Sequence, residues 1–151
     1  SIMKDSHIGT YGVIALISYF LLTSSLLLAF PVQTACCILF AGDAWSKLCA
    51  SQIINFLPYA RNEEEAKNKL VYDRMTGKQL IAAIIGGALP LVYMPLPLLG
   101  AAIFPVVTVT GLILFMRRRI NGYTGDCCGA TFLLAELSFY LGAAILYRLW
   151  Q

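Results

Sequence analysis

The stretch Arg117-Arg118-Arg119-Ile120-Asn121-Gly122-Tyr123-Thr124-Gly125-Asp126-Cys127-Cys128-Gly129 lies between two long apolar runs, and its reading decides the fold. Behind it, Gln79 to Met116 gives 38 residues without Asp, Glu, Lys or Arg. Ahead of it, Cys127 to Tyr147 carries a single charge, Glu136. A further uncharged run of 37 residues extends from Ser6 to Gly42. One membrane span needs about 20 apolar residues, so each uncharged run must hold more than one helix. Proline and polar breaks divide the chain into helices near Tyr11–Phe30, Ala35–Leu57, Leu80–Tyr93, Leu98–Met116 and Cys127–Tyr147. The second is interrupted by Asp43, Ser46, Lys47 and Gln52. The expected fold is all-α: a polytopic transmembrane helix bundle with about five membrane-spanning helices in a single membrane-embedded domain.

Composition agrees. Hydrophobic residues make up 59% of the chain, charged residues 13%, and the mean hydropathy is +0.74. Soluble domains carry roughly 25% charged residues. A soluble protein this apolar would be unable to cover its own surface, so lipid is the expected solvent. The net charge of +3 is small and calls for no nucleic acid. The five cysteines, Cys36, Cys37, Cys49, Cys127 and Cys128, form two vicinal pairs and no C-x-x-C. They read as reduced thiols acting as small hydrophobes. The first apolar segment is too long for a signal peptide, and a start at Ser1 suggests a natural N-terminus further upstream.

Five spans put alternate connections on opposite sides. One side receives Lys4, Arg61, Lys67, Lys69, Arg74, Lys78, Arg117, Arg118 and Arg119; the other receives Arg148. Basic residues beside short loops mark the cytoplasmic side, so the start of the chain and Arg117–Asp126 are expected there, in a cell membrane. A transporter needs polar groups along a path to both faces. Polarity confined to one face suits an enzyme at the cytoplasmic interface.

Each polar cluster has two readings. The segment Ile2–Gly12 is a helix start with Ser6 or Thr10 as cap and Lys4 at the headgroups. Alternatively it is a site, with Asp5 as metal or hydroxyl partner and His7 as donor or acid/base. His7 is the only histidine, which excludes a His-based metal cluster. Asn121–Asp126 is a turn followed by a helix N-terminus capped by Thr124 or Asp126, and free N–H groups there favour anions. With three arginines upstream it suits a phosphate or pyrophosphate, while the plain reading of those arginines is a stop-transfer anchor. Gly125 and Gly129 form a G-x-x-x-G pair, more often a packing device than a chemical one. Glu136 falls roughly 15 Å along its helix from Asp126. There it shares a face with Gly129, Leu133, Tyr140 and Ala143 and needs a basic or hydroxyl partner on another span, with Lys47 the foremost candidate.

Three separated pieces resemble the membrane-bound cobalamin synthases, the adenosylcobinamide-GDP ribazoletransferase family. Ile2-Met-Lys-Asp-Ser-His-Ile-Gly-Thr-Tyr-Gly12, continuing to Leu16, is similar to the family's I-M-[RK]-D-S-x-x-G-x-x-G-x-x-A-L segment. Tyr59-Ala-Arg-Asn-Glu63 is similar to its Y-A-R-x-E, with Ser46-Lys47 where the family often has Ser-Arg. Gly122-Tyr-Thr-Gly-Asp126-Cys-Cys-Gly-Ala130, followed by Glu136, is similar to G-[GQY]-x-T-G-D-x-x-G-A…E, with Asn121 in the place of a usual glycine. The resemblance implies transfer of α-ribazole, or its 5′-phosphate, onto adenosylcobinamide-GDP with release of GMP and with Mg²⁺ as cofactor. It implies Asp5, Asp126 and Glu136 as catalytic residues, Asp5 and Asp126 also as metal ligands. Lys4, Ser6, His7, Lys47, Arg61, Arg117, Arg118, Arg119, Thr124 and Gly125 are the implied substrate contacts. Family members run longer at the N-terminus, with an aspartate-rich metal segment there, so the chain resembles a C-terminal portion that is expected to be inactive alone. A homo-oligomer is compatible with the resemblance. The alternatives are a CDP-alcohol phosphotransferase-like enzyme and a transporter or channel subunit.

Overall fold

A computed structural model describes residues 9–60 and 74–151. Helix α1 spans Thr10–Leu27, α2 Val32–Ser51 and the short α3 Ile53–Phe56. Helix α4, Gly77–Ala88, continues as a 3-10 segment over Leu89–Tyr93. A second 3-10 segment, Leu96–Ala102, leads into α5, Ile103–Ile120, and α6 spans Gly125–Trp150. Among the described residues the chain is helical, apart from one isolated β-bridge.

The breaks follow local chemistry. α1 ends in tight turns at Ala29 and Phe30, before Pro31, whose missing N–H and fixed φ suit the residue preceding α2. The expected second span instead divides at Gln52, leaving α3 as a separate turn. The expected third span starts earlier than Leu80, because Thr76 and Gln79 form a capping box, the Thr76 N–H donating to Gln79 Oε1 at 2.9 Å. Pro90, Pro95 and Pro97 hold the two 3-10 segments, and Pro105 falls in the first turn of α5 where its N–H is not needed. Thr10 does not cap α1; Gly9 stands at the N-cap with no side-chain bond, and Ser6 lies outside the described residues.

α6 is the central element, touching α1, α2, α5 and the Leu96–Ala102 segment. One core cluster gathers Phe30, Ile38, Ala41, Met94, Leu98 and Ala101 around Phe139, Tyr140 and Ala143. A second, at the opposite end, joins Ile53, Leu57, Met116 and Tyr123, and Cys49, Val109 and Ala135 form a small cluster of their own. Because Phe30, between α1 and α2, packs its ring at a tilt against Tyr147 near the end of α6, α1 runs parallel to α6 and α2 antiparallel to it. The glycines that allow close helix approach include Gly42, Gly87 and Gly142. A Cβ on Gly42 would lie 2.6 Å from the Tyr140 ring, and one on Gly142 2.5 Å from that of Phe104. The expected packing pair, Gly125 and Gly129, meets nothing within 4 Å. Trp45 Nε1 donates to the Ala102 carbonyl at 2.9 Å, fixing α2 to the start of α5.

The outer surface is greasy: Leu21, Phe20, Val92, Leu96 and Leu149 are all well exposed. Such a surface is stable only against lipid, and the protein is a multi-pass membrane protein. Of the five long helical passes, Thr10–Leu27, Leu96–Ile120 and Gly125–Trp150 are long and apolar enough to cross a bilayer. Gly77–Tyr93 is shorter, and α2 carries Asp43 and Lys47. Close packing at Gly42 yields a direct expectation. Gly42→Val should cost about 1–3 kcal/mol through overpacking and lower the unfolding midpoint in detergent, whereas Gly111→Ala should not lower it. Gly111 meets nothing within 4 Å.

Candidate functional site at the polar end of the bundle

The end of the bundle that carries the α5–α6 turn also carries the start of α1, the α2–α3 exit and the start of α4. α5 finishes with Arg117, Arg118 and Arg119 in its last turn, where cations oppose the negative end of the helix dipole. Asn121 then adopts the left-handed conformation, φ 50° and ψ 24°, as the C-cap. Asn is the residue that tolerates this region best after Gly, which explains how it stands in a usual glycine position. Thr124 is the N-cap of α6, its hydroxyl accepting from the Cys127 N–H at 3.4 Å. Gly125 and Asp126 are exposed in the first turn.

The turn is stitched to a distant part of the chain. Ala60 N–H donates to the Tyr123 carbonyl at 2.9 Å, and Tyr123 N–H to that of Pro58 at 3.0 Å, forming a parallel bridge. The Tyr59 and Tyr123 rings meet edge to face, 5.4 Å between centroids. A Cβ on Gly122 would lie 2.6 Å from the Pro58 carbonyl oxygen, so only glycine fits. On the return path, the Met75 N–H donates to Asn55 Oδ1 at 2.9 Å. Both flanks of 61–73 are thereby fixed to the polar end, with Arg74 and Lys78 exposed there. Neither tie has a sequence signal beyond the polar character of Asn55.

Between α2, α6 and Met75 lies an open recess of about 350 Å³, lined by Lys47, Ala50, Ser51, Ile54, Cys128 and Phe132. Lys47 is largely exposed and pairs with Asp43, one turn earlier, at 2.8 Å, its Nζ standing 5.4 Å from the Phe132 ring centroid. The expected Lys47–Glu136 pair is therefore absent. Asp43 is the nearer carboxylate, on the same helix at i−4. Glu136 is 6% exposed and has hydroxyl partners instead. Tyr140 donates to its Oε1 at 2.6 Å, and Tyr19, on α1, donates to its Oε2. Tyr140 was recognisable as a face neighbour four residues on. Tyr19 was one of several hydroxyls in an apolar run, with nothing to single it out.

Lys4, Asp5, Ser6, His7 and Arg61 lie outside the described residues. Among the described carboxylates, Asp43 is taken by Lys47 and Glu136 by two tyrosines. Asp126 is left as the exposed acid at this end. Mg²⁺ is commonly held by one or two carboxylates plus substrate phosphates, so Asp126 fits as one ligand of a shared site. Among the described residues, no three or more His, Cys, Asp or Glu are arranged so that they could hold a metal ion together.

The likeness to known proteins extends over nearly the whole chain. A family model described as cobalamin-5-phosphate synthase matches residues 1–144. The adenosylcobinamide-GDP ribazoletransferase of Shewanella woodyi is 40% identical over 147 residues, covering 93% of this chain and 56% of that protein. Its counterpart from Polaromonas naphthalenivorans is 33% identical, covering 95% and 59%, and that of Shewanella halifaxensis 32% identical, covering 99% and 60%. The chain thus spans little more than half the length of the curated relatives it matches. No solved structure matches.

The bridge predicts that Gly122→Ala will force the Pro58 carbonyl away and open the Tyr59–Tyr123 contact. Hydrogen exchange at the Ala60 and Tyr123 amides should then speed up about tenfold, and Asn121→Gly should leave both protected.

Proposed function

The chain belongs to the cobalamin-5-phosphate synthase family, and we propose that it forms the phosphate-gripping part of a membrane-bound adenosylcobinamide-GDP ribazoletransferase. The observation that carries this reading is the parallel bridge between Pro58–Ala60 and Tyr123, which unites two of the family-like segments beside three arginines. The reaction joins a ribose hydroxyl of α-ribazole, or of its 5′-phosphate, to the cobinamide-bound phosphorus of adenosylcobinamide-GDP. The new P–O bond replaces the P–O bond to GMP, which leaves with the bridging oxygen, and the hydroxyl proton passes to solvent or a base.

Phosphoryl transfer of this kind depends on positioning and on stabilising charge on the transferring and leaving oxygens. Arg117, Arg118 and Arg119 supply positive charge, and the N–H groups of the first turn of α6, beginning at Gly125, supply donors for a pyrophosphate. Thr124 holds that turn in shape. Lys47, at the rim of the recess, is a further cation in the same polar half, and it would reach a phosphate only by leaving its pair with Asp43. Asp126 would share Mg²⁺ with the pyrophosphate, where the metal offsets charge on the leaving GMP. Asp5, with Lys4, Ser6, His7 and Arg61 as contacts, would complete the site from outside the described residues. The active face is cytoplasmic and the membrane is the cell membrane; nine basic residues against one on the other side support that orientation.

Asp126→Asn in the complete polypeptide as the cell makes it should lower corrinoid product by about a hundredfold or more with insertion intact. Wild-type turnover in that variant removes Asp126 from the site. A cysteine replacing Asn121 should react with a membrane-impermeant thiol reagent only in inside-out vesicles; reaction in intact cells would reverse the orientation.

A further inference from the structure

α1 is the least attached of the long helices. None of its residues is buried, and it packs chiefly on α6. A groove of about 470 Å³ runs between the two, lined by Gly12, Ala15, Ser18 and Tyr19 on one side and Ala130 and Leu133 on the other. Apolar contact alone holds such a helix weakly, because lipid tails cover the same surface equally well. It also fixes no register, since one apolar turn replaces another. A hydrogen bond in lipid does both.

The bond from Tyr19 to Glu136 Oε2 is the side-chain hydrogen bond linking α1 to another helix among the described residues. Tyr140 occupies the other oxygen at 2.6 Å, which fixes the carboxylate's orientation. Both acceptor atoms are thus engaged, and the group sits roughly 15 Å along α6 from Asp126. Tyr19 lies nine residues past the first residue of α1, and Glu136 eleven past that of α6. At the usual rise these are about 14 and 17 Å. With the two helices parallel, the clamp keeps their first turns level to within one helical turn.

We propose that Tyr19, Glu136 and Tyr140 form a clamp that sets the register of α1 on α6, making Tyr19 and Glu136 positioning residues for the reaction. They bring the chain at Gly9 level with the Thr124–Asp126 turn. The effect on turnover rests on the function proposed above; the effect on register does not.

The test uses the complete polypeptide as the cell makes it, in native membranes, with its cysteines, the five of this chain included, replaced by alanine and new cysteines at Gly12 and Ala130, which face one groove. Oxidation should join this pair efficiently. Tyr19→Phe and Glu136→Ala should each reduce the yield about fivefold. Glu136→Gln, whose amide still accepts from a tyrosine hydroxyl, should restore it. Turnover should follow the same order, falling about tenfold in the alanine variant and recovering to within about threefold in the glutamine variant, with KM little changed. Undiminished crosslinking in both Tyr19→Phe and Glu136→Ala would overturn the clamp. So would a glutamine variant as inactive as the alanine variant with normal crosslinking, because Glu136 would then act as a reacting acid. Failure of turnover in the parent complete polypeptide would count against the proposed function, while the crosslinking yield would still decide the clamp.

Discussion

Lipid cannot hydrate a polar group, and each one placed in it must find a partner within the protein. Most of the structure follows from how the chain meets that demand. Thr110 and Ser138 return their hydroxyls to carbonyls of their own helices, Val106 and Ala135 respectively, at 2.7 Å. Trp45 reaches the Ala102 carbonyl at a helix junction. Asp43 and Lys47 neutralise each other on one helix face. Glu136 takes two tyrosine hydroxyls, one from a second helix. Among the described residues, the buried hydroxyls of Thr23 and Ser46 are the ones left without a partner. The other charges among the described residues, Arg74, Lys78, Arg117–Arg119 and Asp126, collect at one end, where water is available, with Arg148 alone at the other.

That end is ordered by backbone geometry more than by charge. Asn121 turns the chain through a left-handed residue, Gly122 lets the backbone pass against Pro58, and the resulting bridge holds Tyr59 beside Tyr123. Tyr123 is almost fully buried with Ile53, Leu57 and Met116, so the turn rests on apolar packing beneath it. A loop stitched in this way resists displacement by a charged ligand. The consequence is a rigid platform on which the arginines and the first turn of α6 keep a fixed relation.

The sequence made much of this legible, unevenly. Long uncharged runs and prolines located five helical passes because hydrophobic length and missing N–H groups act locally. Thr124 was readable as a cap for the same reason. The partner of Glu136 was not, because Lys47 and Tyr19 both satisfy the demand for a donor, and only tertiary packing shows that Lys47 turns to Asp43. The glycines misled for a related reason. Gly125 and Gly129 have the spacing of a packing motif, yet close helix approaches occur at Gly42 and Gly142, where aromatic rings press in, and at Gly87, where Leu48 does. The bridge from Tyr59 to Tyr123 joins residues far apart in the chain, and no local pattern encodes such a contact.

One tension at the polar end bears on the chemistry. The N-terminus of α6 offers unpaired N–H groups and the positive end of a helix dipole, both favourable to an anion. Asp126 stands in that same first turn and already contributes a negative charge. A pyrophosphate and a carboxylate at one helix end repel each other unless positive charge intervenes. The three arginines supply some, but they end the preceding helix, where part of their field is spent on its negative dipole. In the proposed reaction, a divalent cation shared by the acid and the phosphates would remove the conflict and turn the carboxylate from a liability into a ligand. On the proposed function, the helix end would be a weak anion site without the cation and a strong one with it, so pyrophosphate binding would depend on metal through Asp126 rather than through the arginines.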